Sequence, residues 1–158
     1  MKEKIFYHEL TWLEVKEAAK HGRIPLLPVG SIEQNGPHLP IVTDTYLAFN
    51  ICVEAAKKMP KEALVMPPIC YGCSGHHMDF PGTISIKGEN FIGYVFDVCK
   101  SLIHHGFMKI IIVNGHGGNT SFLDVVARKI SDETSAVCAL VPWWRLALDE
   151  IEKIRESE

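Results

Sequence analysis

The chain is poor in the features that mark a nucleic-acid binder, a membrane protein or a disulfide scaffold. Its 16 Lys and Arg are outnumbered by 19 Asp and Glu, for a net charge of −3. That gives no electrostatic footprint for nucleic acid or for an anionic membrane surface. No apolar run approaches the ~20 residues of a membrane span. The opening Met1-Lys-Glu-Lys-Ile-Phe lacks the long apolar segment of a secretory signal. Cysteine is scarce and odd in number at five, mostly within apolar runs. This favours reduced, buried thiols and a cytoplasmic location over a disulfide framework. Internal repeats, low-complexity tracts and linkers are lacking too, so 158 residues are expected to form one domain with its own core.

What is present is an alternation of short apolar runs and amphipathic stretches. Thr11-Trp-Leu-Glu14 reads as a capping box opening a helix that Gly22 ends. Residues 24–29 read as a buried strand, with Pro25 and Pro28 arguing for an edge position or a distorted start. A helix is expected over 44–59, capped by Asp44 or Thr45, with Leu47, Ile51, Ala55 and Met59 on one face. Then follow a strand at 63–66, a Gly/Cys/His loop, a short strand at 83–86 and a helix at 89–105. That helix turns Phe91, Val95, Val98 and Leu102 inward. The β-branched run 108–113 is the clearest strand. A helix at 120–130, a strand at 136–141 and an amphipathic helix from Trp144 complete the order. Such alternation implies a three-layer α/β/α protein with a mostly parallel sheet.

Two loops carry the chemistry. Gly30-Ser-Ile-Glu-Gln-Asn-Gly-Pro-His-Leu-Pro40 with Thr43-Asp44 leaves one apolar run, and Asn114-Gly-His-Gly-Gly-Asn119 leaves another. Both follow strand carboxyl ends, where ligands bind in parallel sheets. Glu33, Asp44 and His116 form the sharpest set. Two carboxylates and an imidazole suit zinc, manganese or iron and leave a coordination position open for water. Taken singly, Asp44 reads as a helix cap, Glu33 as an exposed residue and His116 as a loop residue; together on one rim they favour a metal centre. The glycines of 114–119 also fit an anion-binding turn at a helix start, which keeps a phosphate-binding module open. Cys70-Tyr-Gly-Cys73 with His76-His77 has no second half at finger spacing and lies in a loop, against a structural zinc or redox role. Ser74 and His77 read instead as rim residues that donate hydrogen bonds or pass protons. His104 and His105 end a helix and read as structural. Trp143-Trp144 form either an apolar wall for a flat substrate or a lid on the core.

Three ordered motifs resemble those of the creatininase (creatinine amidohydrolase) family: the Gly30-to-Pro40 loop with Thr43-Asp44, Phe80-Pro-Gly-Thr-Ile84, and Asn114-Gly-His-Gly-Gly-Asn119. The likeness runs over residues 10–144. It implies an α/β protein, commonly hexameric, with one or two divalent ions (Zn, Mn or Fe) and a small-molecule amide substrate. A cyclic amide or formamide would be hydrolysed by a metal-bound hydroxide, and relatives act in peptide-cofactor maturation. Carried over by motif, Glu33 and His116 would hold the first ion and Asp44 would bridge to the second. His77 stands three positions ahead of the Phe80-Pro-Gly-Thr motif and would move a proton. Ser74 and the backbone of Gly117, Gly118 and Asn119 would face substrate. Three departures accompany the likeness. Asn35 replaces the family's second-metal histidine as a weaker, neutral donor. Gly118 stands where creatinine-hydrolysing members carry a metal-binding glutamate. A His-Ala-Gly-Glu segment found further along in the family has no counterpart. These leave a second reading, of a single creatininase-like domain over 1–158 that is a degenerate or incomplete member. It would act as a non-catalytic binding or assembly subunit, or be completed by a separate chain.

Overall fold

The computed structural model describes residues 3–156. Thr11 opens α1 (Trp12–Lys20): its hydroxyl accepts from the Glu14 N–H at 3.3 Å, and the Glu14 carboxylate accepts from the Thr11 N–H at 2.7 Å. The reciprocal pair satisfies two donors that a helix start leaves open. Gly22, at φ 72°, turns the chain into β1 (Ile24–Val29). The order continues α2 (Thr43–Lys58), β2 (Ala63–Val65), α3 (Gly88–His104), β3 (Lys109–Asn114), α4 (Thr120–Glu133), β4 (Val137–Pro142) and α5 (Leu148–Ile154). Short 3₁₀ turns cover Gly75–His77, Gly117–Asn119 and Trp143–Leu146. Residues 83–86, expected as a strand, contribute an isolated antiparallel bridge between Ile84 and Ile32.

The four strands form one parallel sheet in the order β2-β1-β3-β4. Alternation along each strand feeds two cores. Leu27, Val29, Ile110 and Ile112 face the side covered by α1, α3 and α4, where Phe91, Val95, Leu123 and Val126 are fully buried. Leu26 and Val113 face α2 through Cys52, Val53 and Ala56. The inward face of α2 is thus Thr45, Ala48, Cys52, Val53 and Ala56, not the face of Leu47, Ile51 and Met59, which are exposed. Small side chains let this helix lie close on the sheet, so size rather than hydropathy chose the buried stripe.

The proline-bearing β1 is an interior strand, against the edge position its prolines argued for. Both missing donors fall where no partner stands. The even residues of β1 face β2, since Ile24 donates to Glu62 O and Leu26 O accepts from Met66. Pro28 therefore lacks its donor beyond the last β1–β2 pair, Leu26 with Val65. Pro25 faces the other way and precedes the first β1–β3 pair, Leu26 with Ile111. An interior strand tolerates proline when each removed N–H belongs to an unpaired stretch.

The chain steps from β1 outward to β2 and then back to β3 on the other side. The reversal opens a crevice at the carboxyl ends of β1 and β3. Val29 pairs with Asn114 there, and Gly115 N–H donates to Val29 O at 2.8 Å. The two polar loops accordingly start side by side. No helix among the described residues is long and apolar enough to cross a membrane. The five cysteines are free, with Cys52, Cys73 and Cys99 buried.

Candidate metal centre

Two glycines seat α2 on the crevice. A Cβ at Gly30 would run into the backbone and hydroxyl of Thr45, and one at Gly115 would meet the Asp44 carbonyl. Without side chains at those strand ends, the first turn of α2 settles directly on them, and Thr45 Oγ1 donates to Ser31 O at 3.1 Å. Asp44 is not a cap: the helix is preceded by Val42, and no side-chain cap bond forms. Its carboxylate instead points into the crevice.

There it meets the other two residues. His116 Nδ1 lies 3.2 Å from Glu33 Oε1 and 3.1 Å from Asp44 Oδ2. All three side chains are buried, with His116 4%, Glu33 5% and Asp44 8% exposed. The far side of the imidazole is occupied: Nε2 is 3.2 Å from the Cys73 carbonyl and 3.3 Å from Ser74 Oγ. The carbonyl accepts only, so Nε2 carries the hydrogen and Nδ1 presents a lone pair. Three electron-rich atoms then face one another: His116 Nδ1, Glu33 Oε1 and Asp44 Oδ2. Glu33 Oε2 and Asp44 Oδ2 are buried without a partner. Burial pulls the His116 basicity down, but Asp44 and Glu33 more than offset it and raise it above the ordinary histidine value. Even as an imidazolium, His116 cannot neutralise two buried carboxylates, and uncompensated buried charge is costly. A divalent cation answers that excess, and a histidine whose other nitrogen bonds a carbonyl is the usual metal-ligand arrangement. The donor set fits such an ion.

The structure adds a donor that the sequence reading left out. Ring nitrogens of His76 and His116 and a Glu33 carboxylate oxygen all lie within 4.8 Å of one another. The His76 ring runs parallel to that of His116, at 5.7 Å and 4°. Neighbouring histidines in a loop do not reveal which one turns inward; the 3₁₀ turn Gly75–His77 brings both. His77 Nε2 stands 3.9 Å from Glu33 Oε1. Gly36 N–H fixes the Gln34 amide through its oxygen at 2.9 Å, so the amide nitrogen donates to His77 Nδ1 at 3.1 Å. His77 thus holds its hydrogen on Nε2, facing the centre.

The remaining residues sort differently. Ser74, read as facing substrate, is fully buried, and its hydroxyl is 2.5 Å from Ser31 Oγ. Ser74, His116 and Asp44 have the connectivity of a nucleophile triad, but a hydroxyl with no surface cannot attack a substrate. Ser74 positions His116. Asn119 is also fully buried, and its side chain is spent as a brace: Oδ1 accepts from Cys73 N–H and Nδ2 donates to Gly30 O, both at 2.9 Å. Gly117 is exposed on the rim. At Gly118 a Cβ would collide with His116 Nε2 and the Cys73 carbonyl, the contact that orients the imidazole. Half-buried Asn35 donates its amide back to the Glu33 carbonyl at 3.5 Å. Trp143 packs against the α2-side core, its indole N–H buried without a partner.

A parallel α/β sheet with a buried carboxylate–imidazole cluster at its switch point defines an α/β protein with a candidate metal site. The creatininase (creatinine amidohydrolase) profile matches residues 8–158, and the chain belongs to that family. It is 36% identical over 129 residues to creatinine amidohydrolase of Pseudomonas putida, covering 78% of this chain and 49% of that protein. It is 39% identical over 109 residues to the mycofactocin precursor peptide peptidase of Mycolicibacterium smegmatis, covering 65% and 44%. A creatininase crystal structure superposes with TM-score 0.86 at 29% identity, over 99% of this chain and 65% of that one. Zinc and manganese forms of creatininase superpose at TM-score 0.84. The chain spans about half the length of the curated relatives it matches.

Proposed function

We propose that this chain houses a divalent-metal centre for hydrolysis of an amide or formamide C–N bond in a small molecule. The observation that carries the reading is His116 Nδ1, facing Glu33 Oε1 and Asp44 Oδ2 at 3.1–3.2 Å, with Glu33 Oε2 and Asp44 Oδ2 buried without a hydrogen-bond partner. When bound, the ion supplies Lewis acidity toward a carbonyl and acidifies water. Glu33, Asp44, His116 and His76 hold it, as zinc, manganese or iron. The Cys73 carbonyl and Ser74 keep His116 in register. His77 Nε2–H, at the edge of the centre, protonates the departing nitrogen, and Gln34 fixes the tautomer that allows it. Gly117 and Gly118 line the approach. The names of both relatives describe cleavage of amide-type bonds, which supports the reaction class. We further read the chain as one α/β domain of a cytoplasmic homo-oligomer. Exposed Leu39, Ile41, Val42, Tyr46, Phe80 and Ile84 beside the rim support the assembly.

The test is elemental analysis and zinc or manganese titration of the purified chain, followed by turnover of a cyclic-amide and formamide panel. The expectation is one tightly held ion and hydrolysis that chelation abolishes. A folded chain that holds no ion sinks the reading. One ion with no turnover would select the alternative of a non-catalytic binding or assembly subunit; Asn35, a neutral amide turned back on its own loop, is the observation for it.

A further inference from the structure

A cleft of about 600 Å³ opens beside the centre, and the two share His76. Its size is that of small-molecule sites. Cys73, Met78, Ile86 and Phe122 supply its walls, and Gly118 its floor beside His116. The polar groups along it are largely committed. Ser85 Oγ accepts from Ser74 N–H at 2.9 Å, the Cys73 N–H is held by Asn119, and the Cys73 carbonyl is held by His116. Lys87 is exposed at the cleft, and Glu89 in the adjacent first turn of α3 sets an opposite charge near it. No charged partner is demanded. Phe122 is a fixed wall: its ring meets Phe91 edge-on at 6.4 Å and 82°, and it lies so close on Gly88 that a Cβ there would strike it.

Resting on the proposed function, we infer that this cleft receives an apolar side group adjoining the scissile bond, so the substrate class is an amide or formamide with an aromatic or branched aliphatic substituent. A small, wholly polar substrate would leave these walls wet and uncompensated, whereas an apolar group that fits gains by their desolvation. Continuity carries the assignment: because the cleft and the centre share His76, an amide at the centre would set its neighbouring group over Gly118 and against Phe122.

The experiment is an NMR titration of the full chain, labelled at Met and Ile methyls, with N-benzylformamide and N-methylformamide, with and without zinc. N-benzylformamide is expected to shift Met78 and Ile86 but not Met59, which is exposed at the end of α2, and to bind about 10-fold more tightly than N-methylformamide. Phe122→Ala should reduce that ratio to about 2-fold. Gly88→Ala, whose Cβ would displace the Phe122 ring from its place in the wall, should reduce it by another route should the first variant fold poorly. Equal affinity for the two formamides, or shifts at Met59 as large as those at Met78, overturns the inference. If the zinc-loaded chain hydrolyses neither compound while the cleft shifts persist and depend on Phe122, the proposed reaction falls and the cleft stands. If both are hydrolysed with equal kcat/KM, the cleft assignment falls and the reaction stands.

Discussion

Buried charge is treated in opposite ways at the two ends of the sheet. At the amino end, Arg23 is 7% exposed, and its Nη2 donates to the carbonyls of Lys4, Pro60 and Ala63 at 2.7–2.9 Å. Glu3 stands 3.9 Å away as a counter-charge, and only Nε lacks a partner. At the carboxyl end, Glu33 and Asp44 are equally buried, yet each leaves a carboxylate oxygen unpaired and both crowd one imidazole. The first arrangement finds its counter-charge and acceptors within the protein: a cation ties the start of the chain to the strand ends. The second is complete only with something added. A buried charge that its neighbours satisfy is a fastener, and one that they leave unsatisfied marks a site.

Removing a donor from the unsatisfied end should have the largest effect. Glu33→Gln keeps the shape but withdraws a charge, and ion affinity and any amide turnover should fall about 10³-fold. Titration of the variant by calorimetry checks it. Affinity within a factor of about two of the parent would mean the carboxylate is not a ligand, since even outer-shell partners are worth 10-fold or more.

The contrast sharpens in the metal-free chain, where the two ends should respond with opposite sign. Arg23→Met strands three carbonyls and should cost about 3 kcal/mol of unfolding free energy. Asp44→Asn relieves like charge and should leave stability unchanged or raise it by about 1 kcal/mol. Urea unfolding after chelation measures both. Destabilisation of similar size by the two variants would erase the distinction between fastener and site.

Local signals read well from the sequence. The Thr11–Glu14 box and the strand at 24–29 depend on residues close together in the chain, and both stand in the structure. The convergence of Glu33, Asp44 and His116 was also legible, because a parallel sheet sends alternate loops to one rim. What was hidden depends on distant contacts. The Asn119 side chain gave no sign of its role: its amide grips Gly30 O from 89 positions away. Ser74 reaches Ser31 across 43 positions, which buries it. His76 and His77 are alike in sequence, and only the turn at 75–77 distributes them around Glu33. The interior placement of β1 turned on pairing register, which no residue pattern within 24–29 displays.

Ser74 tests the site from its second layer. Ser74→Ala removes the hydroxyl 3.3 Å from His116 Nε2 but leaves the Cys73 carbonyl in place. Ion affinity should drop about 10-fold, at the mild end of outer-shell effects. A direct ligand or nucleophile would show a loss like that of Glu33→Gln, and a spectator would show none.

The smallest effect belongs to the amino end, at the cap of α1. Thr11→Ala removes the hydroxyl that accepts the Glu14 N–H and should cost about 1 kcal/mol. Glu14 is held down to about 2 by the Lys4 ammonium first and by the Thr11 N–H next. A carboxyl whose folded value lies below its ordinary 4.5 adds stability that is present above pH 4.5 and lost as pH falls toward 2. Lys4→Met should flatten the fall in stability over that window while leaving ion affinity untouched. That separation matters most for the comparison: the amino end should answer to acid and not to metal. A change in ion affinity on losing Lys4 would show that the two ends are coupled through the sheet.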